Sequence, residues 1–383
     1  MATPLLLNVV DALPEGQLER KLALGRPLRV KLGVDPTSAD LHLGHTVVLR
    51  KLRDFRDAGH KVVLIIGDYT ARVGDPSGRS KSRPFVSGED VDANARTYQE
   101  QAFKVLSDDP ELLEVRRNSE WLDMRMEDFF RLARVATAAQ ILERDDFAKR
   151  WAAREPIAVL ELLYPLLQGY DSVAVRADVE IGGTDQKFNL LLGRDVQRAY
   201  GQPEQAVLTL PLLVGTDGTQ KMSKSLGNYV GVDEPPEEQY GKTLSLPDDA
   251  MGEWYRLLLR RPLDPAMAPR EAKRALAREI VAEYHGAEAA ARAEAHFDRL
   301  FVERRAPDEM DELLVEGAGP VHLPAVLAQA FGVSRSEARR LIAQGGVRID
   351  DVVVSEADVP ADALDGRVLR AGKRRYVRLR RAA

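Results

Sequence analysis

Apolar positions along the chain keep two alternating rhythms. Short, nearly continuous apolar or alternating runs predict strands at 28–34, 61–67, 113–116, 177–181 and 207–213. The run Val62-Val63-Leu64-Ile65-Ile66 is apolar at every position, as in a parallel strand buried on both faces. Longer segments between them carry apolar residues at helix spacing. They predict helices over 47–55, ended near Gly59, over about 90–106, and over most of 121–169, where Leu132, Val135, Ala139 and Leu142 share a face. Thr184 reads as the N-cap of a further helix. Residues 1–27 read as a helical lead-in punctuated by Pro14, Gly16 and Gly25. Strands spaced by helices make βαβ units, so the class is α/β, with a doubly wound, Rossmann-like parallel sheet covered on both faces.

The rhythm changes after Asn228. Gly231, Pro235, Pro236 and Pro247 interrupt the chain, and then an all-helical stretch follows in which Ala272, Leu276, Ile280 and Tyr284 form one apolar stripe. The segment 304–319 is polar and loose. From Pro320 two short helices, 323–331 and 334–344, precede strands at 347–349 and 375–378, a small α+β unit. The expected division is therefore 1–228, with a helical insertion at about 120–165, then 229–305, a linker at 306–319, and 320–383.

Composition narrows the classes. The chain has 383 residues, 44% hydrophobic and 30% charged, which is the balance of a globular protein. It has no cysteine, so disulfides, a thiolate nucleophile and a thiolate metal site are excluded. The first residues lack the pattern of a signal peptide, and no apolar run reaches the length of a membrane span; the expectation is a cytoplasmic protein without a membrane partner. The net charge is −5, unevenly placed: Arg367, Arg370, Lys373, Arg374, Arg375, Arg378, Arg380 and Arg381 lie in a tract with no acidic residue. A basic tail on an acidic body fits a polyanion contact or a solvated terminus.

Two stretches carry candidate chemistry. Pro36-Thr37-Ser38-Ala39-Asp40-Leu41-His42-Leu43-Gly44-His45 joins the first long strand to a helix. A helix N-terminus after a strand of an open α/β sheet favours an anion, and imidazole donors there suit phosphoryl chemistry. Gly44 leaves room for a flat ring beside the backbone. A metal pair and plain structure are the rival readings; for a metal, no third ligand stands at a ligand spacing. The second stretch, Lys221-Met222-Ser223-Lys224-Ser225, follows a strand within a Gly-rich polar loop. Its lysines could follow a leaving pyrophosphate, or simply be exposed.

Taken together, a strand, His-x-Gly-His opening a helix, and a late Lys-Met-Ser-Lys-Ser loop resemble the class I aminoacyl-tRNA synthetases. Tyr164-Pro165-Leu166-Leu167-Gln168-Gly169-Tyr170-Asp171 puts Tyr164, Gln168 and Asp171 on one helical face. With Ile181-Gly182-Gly183-Thr184-Asp185-Gln186, Gly67-Asp68-Tyr69-Thr70 and Gly74-Asp75-Pro76-Ser77-Gly78, it is similar to the bacterial tyrosyl-specific branch of that family.

The resemblance implies roles. Asp75, Tyr164 and Gln168 would hold the substrate amino group, Asp171 the phenolic hydroxyl and Gln186 the carboxylate, with Asp35 lining the pocket. Asp185 would face the ribose. Thr37, His42 and His45 would stabilise the triphosphate, with Lys221 and Lys224 on the pyrophosphate. Pro36, Gly44, Met222, Ser223 and Ser225 complete the ATP site. Lys31 stands where many members carry a tyrosine that also contacts the phenol. It either bonds the phenol or points away to pair with an acid.

Ser334-Arg335-Ser336-Glu337-Ala338-Arg339-Arg340, within the closing unit, resembles a small RNA-binding module of ribosomal-protein type. Arg335, Arg339, Arg340, Lys373, Arg374 and Arg375 are its candidate RNA contacts. In the resembled family it follows a helical, anticodon-reading domain, here 229–305.

The resemblance thus implies a homodimeric ligase for L-tyrosine, ATP and tRNA(Tyr), with Mg2+ brought by ATP and no dedicated metal site. A tryptophan-type synthetase shares the fold and loop. An RNA-binding or splicing relative without catalysis is the reading from outside the enzyme class.

Overall fold

The computed structural model describes residues 4–36, 40–75, 88–106, 111–303, 310–315, 319–361, 364–372 and 375–381. Two compact units divide the chain, Met1–Gly286 and Ala287–Ala383.

The first unit is built on a six-stranded sheet of β1 (Asp11–Leu13), β2 (Arg29–Val34), β3 (Lys61–Ile66), β4 (Leu113–Arg117), β5 (Val179–Gly183) and β6 (Ala206–Leu210), in the order β1-β6-β5-β2-β3-β4. All pairings are parallel except that of β1 with β6. The order reverses between β2 and β5. Their carboxyl ends therefore open side by side onto a crevice, where such sheets place ligands. β3 is buried at every position after Lys61, and β6 throughout, which explains their unbroken apolar runs.

Helices cover both faces. On one side α2 (Leu43–Asp57) and α4 (Gly88–Leu106) pack on the sheet. Their core continues through Trp254 and Tyr255 of α12 (Met251–Leu258) to Ala272, Leu276 and Ile280 of α13 (Pro269–His285). The stripe expected over 272–284 is thus the seam that fixes α13 to this unit, with α11 (Pro236–Leu244) beside it. On the other side lie α5 (Ser119–Leu122), α6 (Met126–Ala133), α7 (Ala138–Leu142), α8 (Asp145–Ala152), α9 (Val159–Ala174) and α10 (Lys187–Ala199), around Leu132, Phe147, Leu166, Leu167 and Val196. α1 (Gln17–Leu22) and the single turn α3 (Thr70–Val73) complete the unit.

Two local expectations change. Residues 1–27 hold the antiparallel edge strand β1 as well as a short helix, because three residues are too few to show a periodicity. Thr184 opens a 3-10 turn, Thr184–Gln186, and α10 begins only at Lys187. That turn keeps Asp185 and Gln186 at the strand end instead of carrying them down a helix.

The second unit holds α14 (Ala287–Phe297), then β7 (Glu312–Val315), β8 (Val321–His322), α15 (Leu323–Phe331), α16 (Arg335–Ala343), β9 (Val347–Ile349), β10 (Val352–Val353), β11 (Asp358–Val359), β12 (Val368–Ala371) and β13 (Arg375–Arg381). A five-stranded sheet, β10-β9-β12-β13-β7, packs on α15 and α16 around Leu323, Leu327, Ala338, Leu369 and Leu379. Ser334 caps α16, its hydroxyl accepting from Glu337 N at 3.1 Å.

Candidate active site

The crevice at the β2/β5 switch has two chemically distinct ends. At the first, the chain leaves β2 into Asp35. Its Oδ1 accepts from Thr70 Oγ1 at 2.7 Å, and its Oδ2 from the Tyr164 hydroxyl at 2.9 Å. Gly67 makes this possible: a Cβ there would lie 2.1 Å from Asp35 Oδ1 and 2.4 Å from Thr70 Oγ1.

The polar face expected on α9 points into the same space. Asn189 donates to Gln168 Oε1 at 2.9 Å and to Gln186 Oε1 at 3.0 Å, while Gln186 Nε2 donates to Asp75 Oδ2 at 2.9 Å. Arg144 donates to Asn189 Oδ1 at 3.0 Å and stands 3.7 Å from Asp75. Asp75, Gln168 and Gln186 are thereby joined into one network, with Asp35 and Tyr164 hydrogen-bonded to each other.

Asp171 lies deepest, 3% exposed. Trp121 Nε1 donates to its Oδ1 at 2.8 Å, and Asn118 Nδ2 reaches Oδ2 at 3.4 Å. Asn118 also donates to Thr70 Oγ1 at 2.9 Å, which links Asp171 to Asp35. Burial pushes the Asp171 carboxyl up to about 6, against the pull of Lys31, Trp121 and Asn118.

Lys31 is fully buried in β2. Its Nζ stands 2.8 Å from Glu180 Oε1 and donates to Ser172 Oγ at 2.9 Å and Gln168 O at 3.1 Å. Of its three N–H donors, two are taken by the Ser172 hydroxyl and the Gln168 carbonyl, and Glu180 meets the ammonium as an ion pair. Of the two alternatives for Lys31, the structure has the one in which it pairs with an acid.

The second end is the phosphate-type site. His42 is the extended residue before α2, and its N–H donates to His45 Nδ1 at 3.2 Å. The rings stack with centroids 3.8 Å apart. A Cβ on Gly44 would lie 3.0 Å from the His42 ring, which is why a glycine separates them. Burial, reinforced by Lys224 and Lys221, lowers His45 to about 4, and burial with the neighbouring His45 takes His42 well below its usual value. Both rings are neutral at pH 7. With Nδ1 accepting, the neutral His45 carries its proton on Nε2 and can donate from there.

Opposite them, Lys221 pairs with Asp185 at 3.1 Å and Lys224 with Asp40 at 2.9 Å. The buried Met222 anchors the loop in the core. Asn228 Oδ1 accepts from Ser223 N at 2.8 Å, and Ser223 and Ser225 bond through their hydroxyls at 2.9 Å. Pro36 is buried before the histidine turn, and Thr37 lies outside the described residues. Among the described residues no group of three His, Asp or Glu side chains is arranged to hold a metal ion.

In the second unit Arg335, Arg339, Arg340 and Arg375 are exposed, while Lys373 and Arg374 lie outside the described residues.

Thr70, Asn118, Trp121, Arg144 and Asn189 also build the site, with Asp40 as a lysine partner and the Ser172–Glu180 pair, none of which has an expected role. Thr70 and Asp40 stand inside the stretches 67–70 and 36–45 quoted above, and Glu180 leaves a signal of its own, a carboxylate two residues before the Gly-Gly turn. The others come from segments far apart in sequence.

The chain matches the model of the class I tRNA synthetases (W and Y) over residues 23–302 and that of the S4 domain over 322–363. It is 51% identical to the tyrosine–tRNA ligase of Moorella thermoacetica, covering 97% of this chain and 94% of that one. It is 50% identical to the ligase of Thermotoga maritima, covering 97% and 95%. Among solved structures, the Archaeoglobus fulgidus tyrosyl-tRNA synthetase complexed with L-tyrosine superposes with a TM-score of 0.63 at 23% identity, over 76% of this chain and 97% of that one, a likeness of fold.

Proposed function

The chain belongs to the class I tRNA synthetases of the tryptophan and tyrosine type, and from that premise we infer that it joins L-tyrosine to tRNA. ATP and tyrosine give tyrosyl-adenylate and pyrophosphate; the terminal adenosine of tRNA(Tyr) then takes the tyrosyl group and AMP leaves. The observation that carries tyrosine over tryptophan is Asp171. A buried carboxylate with one oxygen fixed by an indole N–H suits a phenolic donor. An analogue without the hydroxyl would leave that carboxylate unpaired; rejection of phenylalanine by tyrosyl enzymes is the established instance of this effect.

In this reading Asp75, Tyr164 and Gln168 take the amino group, with Asp35 behind Tyr164, and Gln186 faces the carboxylate. The tyrosine carboxylate attacks the α-phosphorus, and the bond to pyrophosphate breaks. Negative charge grows on phosphate oxygens, and catalysis is positioning plus electrostatic stabilisation. His42 and His45 serve as neutral donors, not as cations, metal ligands or bases. Lys221 and Lys224 exchange Asp185 and Asp40 for the pyrophosphate, while Asp185 turns to the ribose. Thr37 joins the triphosphate contacts. Pro36 and Gly44 shape that wall, and Met222, Ser223 and Ser225 hold the lysine loop. Magnesium would arrive bound to the nucleotide phosphates.

Residues 229–305 would read the anticodon, and the 320–383 module would grip tRNA phosphates through Arg335, Arg339, Arg340, Lys373, Arg374 and Arg375. The protein would act in the cytoplasm; among the described residues no helix is long and apolar enough to cross a membrane. A homodimer is part of this reading, supported by the large exposed apolar side chains of the helical insertion, Met126, Phe130, Trp151, Val159 and Leu160.

Amino-acid-dependent ATP–pyrophosphate exchange tests the function. Exchange with tyrosine is expected. Exchange with tryptophan alone, or RNA binding with no exchange, would overturn it.

A further inference from the structure

Lys31 and Glu180 are register partners on neighbouring parallel strands, and both side chains are at most 1% exposed. Two buried charges in the middle of a sheet are costly, and apolar residues would fill the space more cheaply. Their surroundings give them a use. Lys31 Nζ bonds Gln168 O and Ser172 Oγ, which bracket Asp171 on α9. Ser172 Oγ donates onward to Glu180 Oε2 at 3.1 Å, and Gln205 Nε2 closes the shell on the same oxygen. The cation is thereby fixed against the helical turn that carries Asp171.

We propose that Lys31, held by Glu180, is a positioning and specificity-determining residue for tyrosine: it fixes the Asp171 turn and maintains Asp171 as an anionic acceptor for the phenol. This rests on the reading of the crevice as a tyrosine pocket. Lys31 then acts on the phenol without touching it.

The charges that bear on Asp171 are few. From β2 comes Lys31, and from β5 Glu180, whose opposing effect is the smaller. The β4–α5 segment offers the neutral Asn118 and Trp121, and α3 the neutral Thr70. Asp35 is tied to Tyr164 on α9, and Asp68 to Ser119. Of the cations against α9 and its neighbours, Arg150 pairs with Glu161, and Arg144 with Asp146 and, at 3.7 Å, with Asp75. Lys31 is the cation that favours the charged form of Asp171. If Asp171 becomes neutral, phenylalanine no longer strands a buried charge, and discrimination is lost.

The test follows tyrosine- and phenylalanine-dependent pyrophosphate exchange, as kcat/KM, between about pH 5 and 9, a profile that reports groups of the free enzyme. Wild type is expected to lose tyrosine activity as pH falls through about 6. In K31M/E180Q, which removes both charges together, that acidic limb should move up by roughly one unit or more. Discrimination against phenylalanine near the limb should fall about tenfold per unit and recover at higher pH. K31R, which keeps the cation, should leave the limb in place even if KM rises. A purely structural role would lower activity equally at every pH, and a folded K31M/E180Q with an unmoved limb overturns the proposal. Should that variant fail to fold, E180Q decides: Lys31 keeps its two α9 partners without the opposing carboxylate, so the limb is expected to fall, and one that rises or stays overturns the proposal. Wild type without tyrosine-dependent exchange would instead sink the reading of the pocket itself.

Discussion

The two ends of the crevice use the same chemical device, a lysine beside a carboxylate, in opposite environments. At the phenol end Lys31–Glu180 is sealed, with side chains 0% and 1% exposed. At the phosphate end the Lys224 and Asp40 side chains are 23% and 53% exposed. The sealed pair cannot exchange partners without leaving a bare charge in the core. The open pair can, because water and a phosphate oxygen are both acceptable substitutes. Recognition of a neutral phenol needs a fixed charge, whereas displacement of pyrophosphate needs cations that change partner during the reaction. Burial sorts the two tasks.

Breaking the sealed pair is the harshest test of this contrast. Glu180→Ala strands Lys31 in the sheet and leaves Ser172 and Gln205 without their acceptor. A stability loss of roughly 3–5 kcal/mol is expected, the range for removing one partner of a buried pair. Urea unfolding followed by circular dichroism measures it. A loss under about 1 kcal/mol would mean that Lys31 finds another partner and the seal is illusory.

Lys224→Ala probes the open end during catalysis. Adenylation should slow by about 10²–10³-fold, the typical cost of losing one transition-state donor, with tyrosine affinity unchanged. Pre-steady-state adenylate formation and tyrosine binding separate the two. Equal losses in both would refute a transition-state role.

The contrast was unevenly legible in the sequence. His42, Gly44, His45 and the Lys221–Ser225 loop are local strings whose order along the chain suffices to pair them. The polar face of α9 is likewise visible, because Tyr164, Gln168 and Asp171 share helix spacing. The floor of the pocket is not, because it is assembled from β2, the β4–α5 segment, α9 and β5. Trp121 and Asn118 look like ordinary residues at the start of a helix until Asp171 is placed against them. Lys31 alone is ambiguous; only the register of β2 on β5 puts Glu180 opposite it. Fold legibility follows the same logic. Long strands such as β3 announce themselves, whereas β1, β8, β10 and β11, of two or three residues, have no period to read.

Asp171→Asn separates specificity from stability at the sealed end. The folded carboxyl titrates at about 6 against an ordinary 3.8, so the fold binds its proton more tightly than the unfolded chain does. Its favourable contribution is complete below about 3.8 and is lost as pH rises through 6; ionised Asp171 is a strain on the fold at pH 8. The substituted amide carries no such charge. The variant should be more stable than wild type by about 2–3 kcal/mol at pH 8, with the gain vanishing toward pH 4, while its preference for tyrosine over phenylalanine drops. Thermal melts at the two pH values check the sign. A gain that persists at low pH would assign the effect to packing instead of ionisation.

Asp40→Ala should do least, and its smallness is informative. Asp40 is exposed and gives Lys224 a screened, replaceable partner, so stability should change by less than about 1 kcal/mol. The kinetic effect should also be small, with a defined direction. With Asp40 gone, Lys224 no longer has to leave a carboxylate before meeting phosphate, so KM for ATP should fall slightly and adenylation should not slow. Raising the salt concentration should shrink the difference between variant and wild type, because an exposed pair is screened. Steady-state exchange at two ionic strengths reads both quantities. A large loss of rate in Asp40→Ala would show that Asp40 actively orients Lys224, and the open pair would then be as fixed in function as the sealed one.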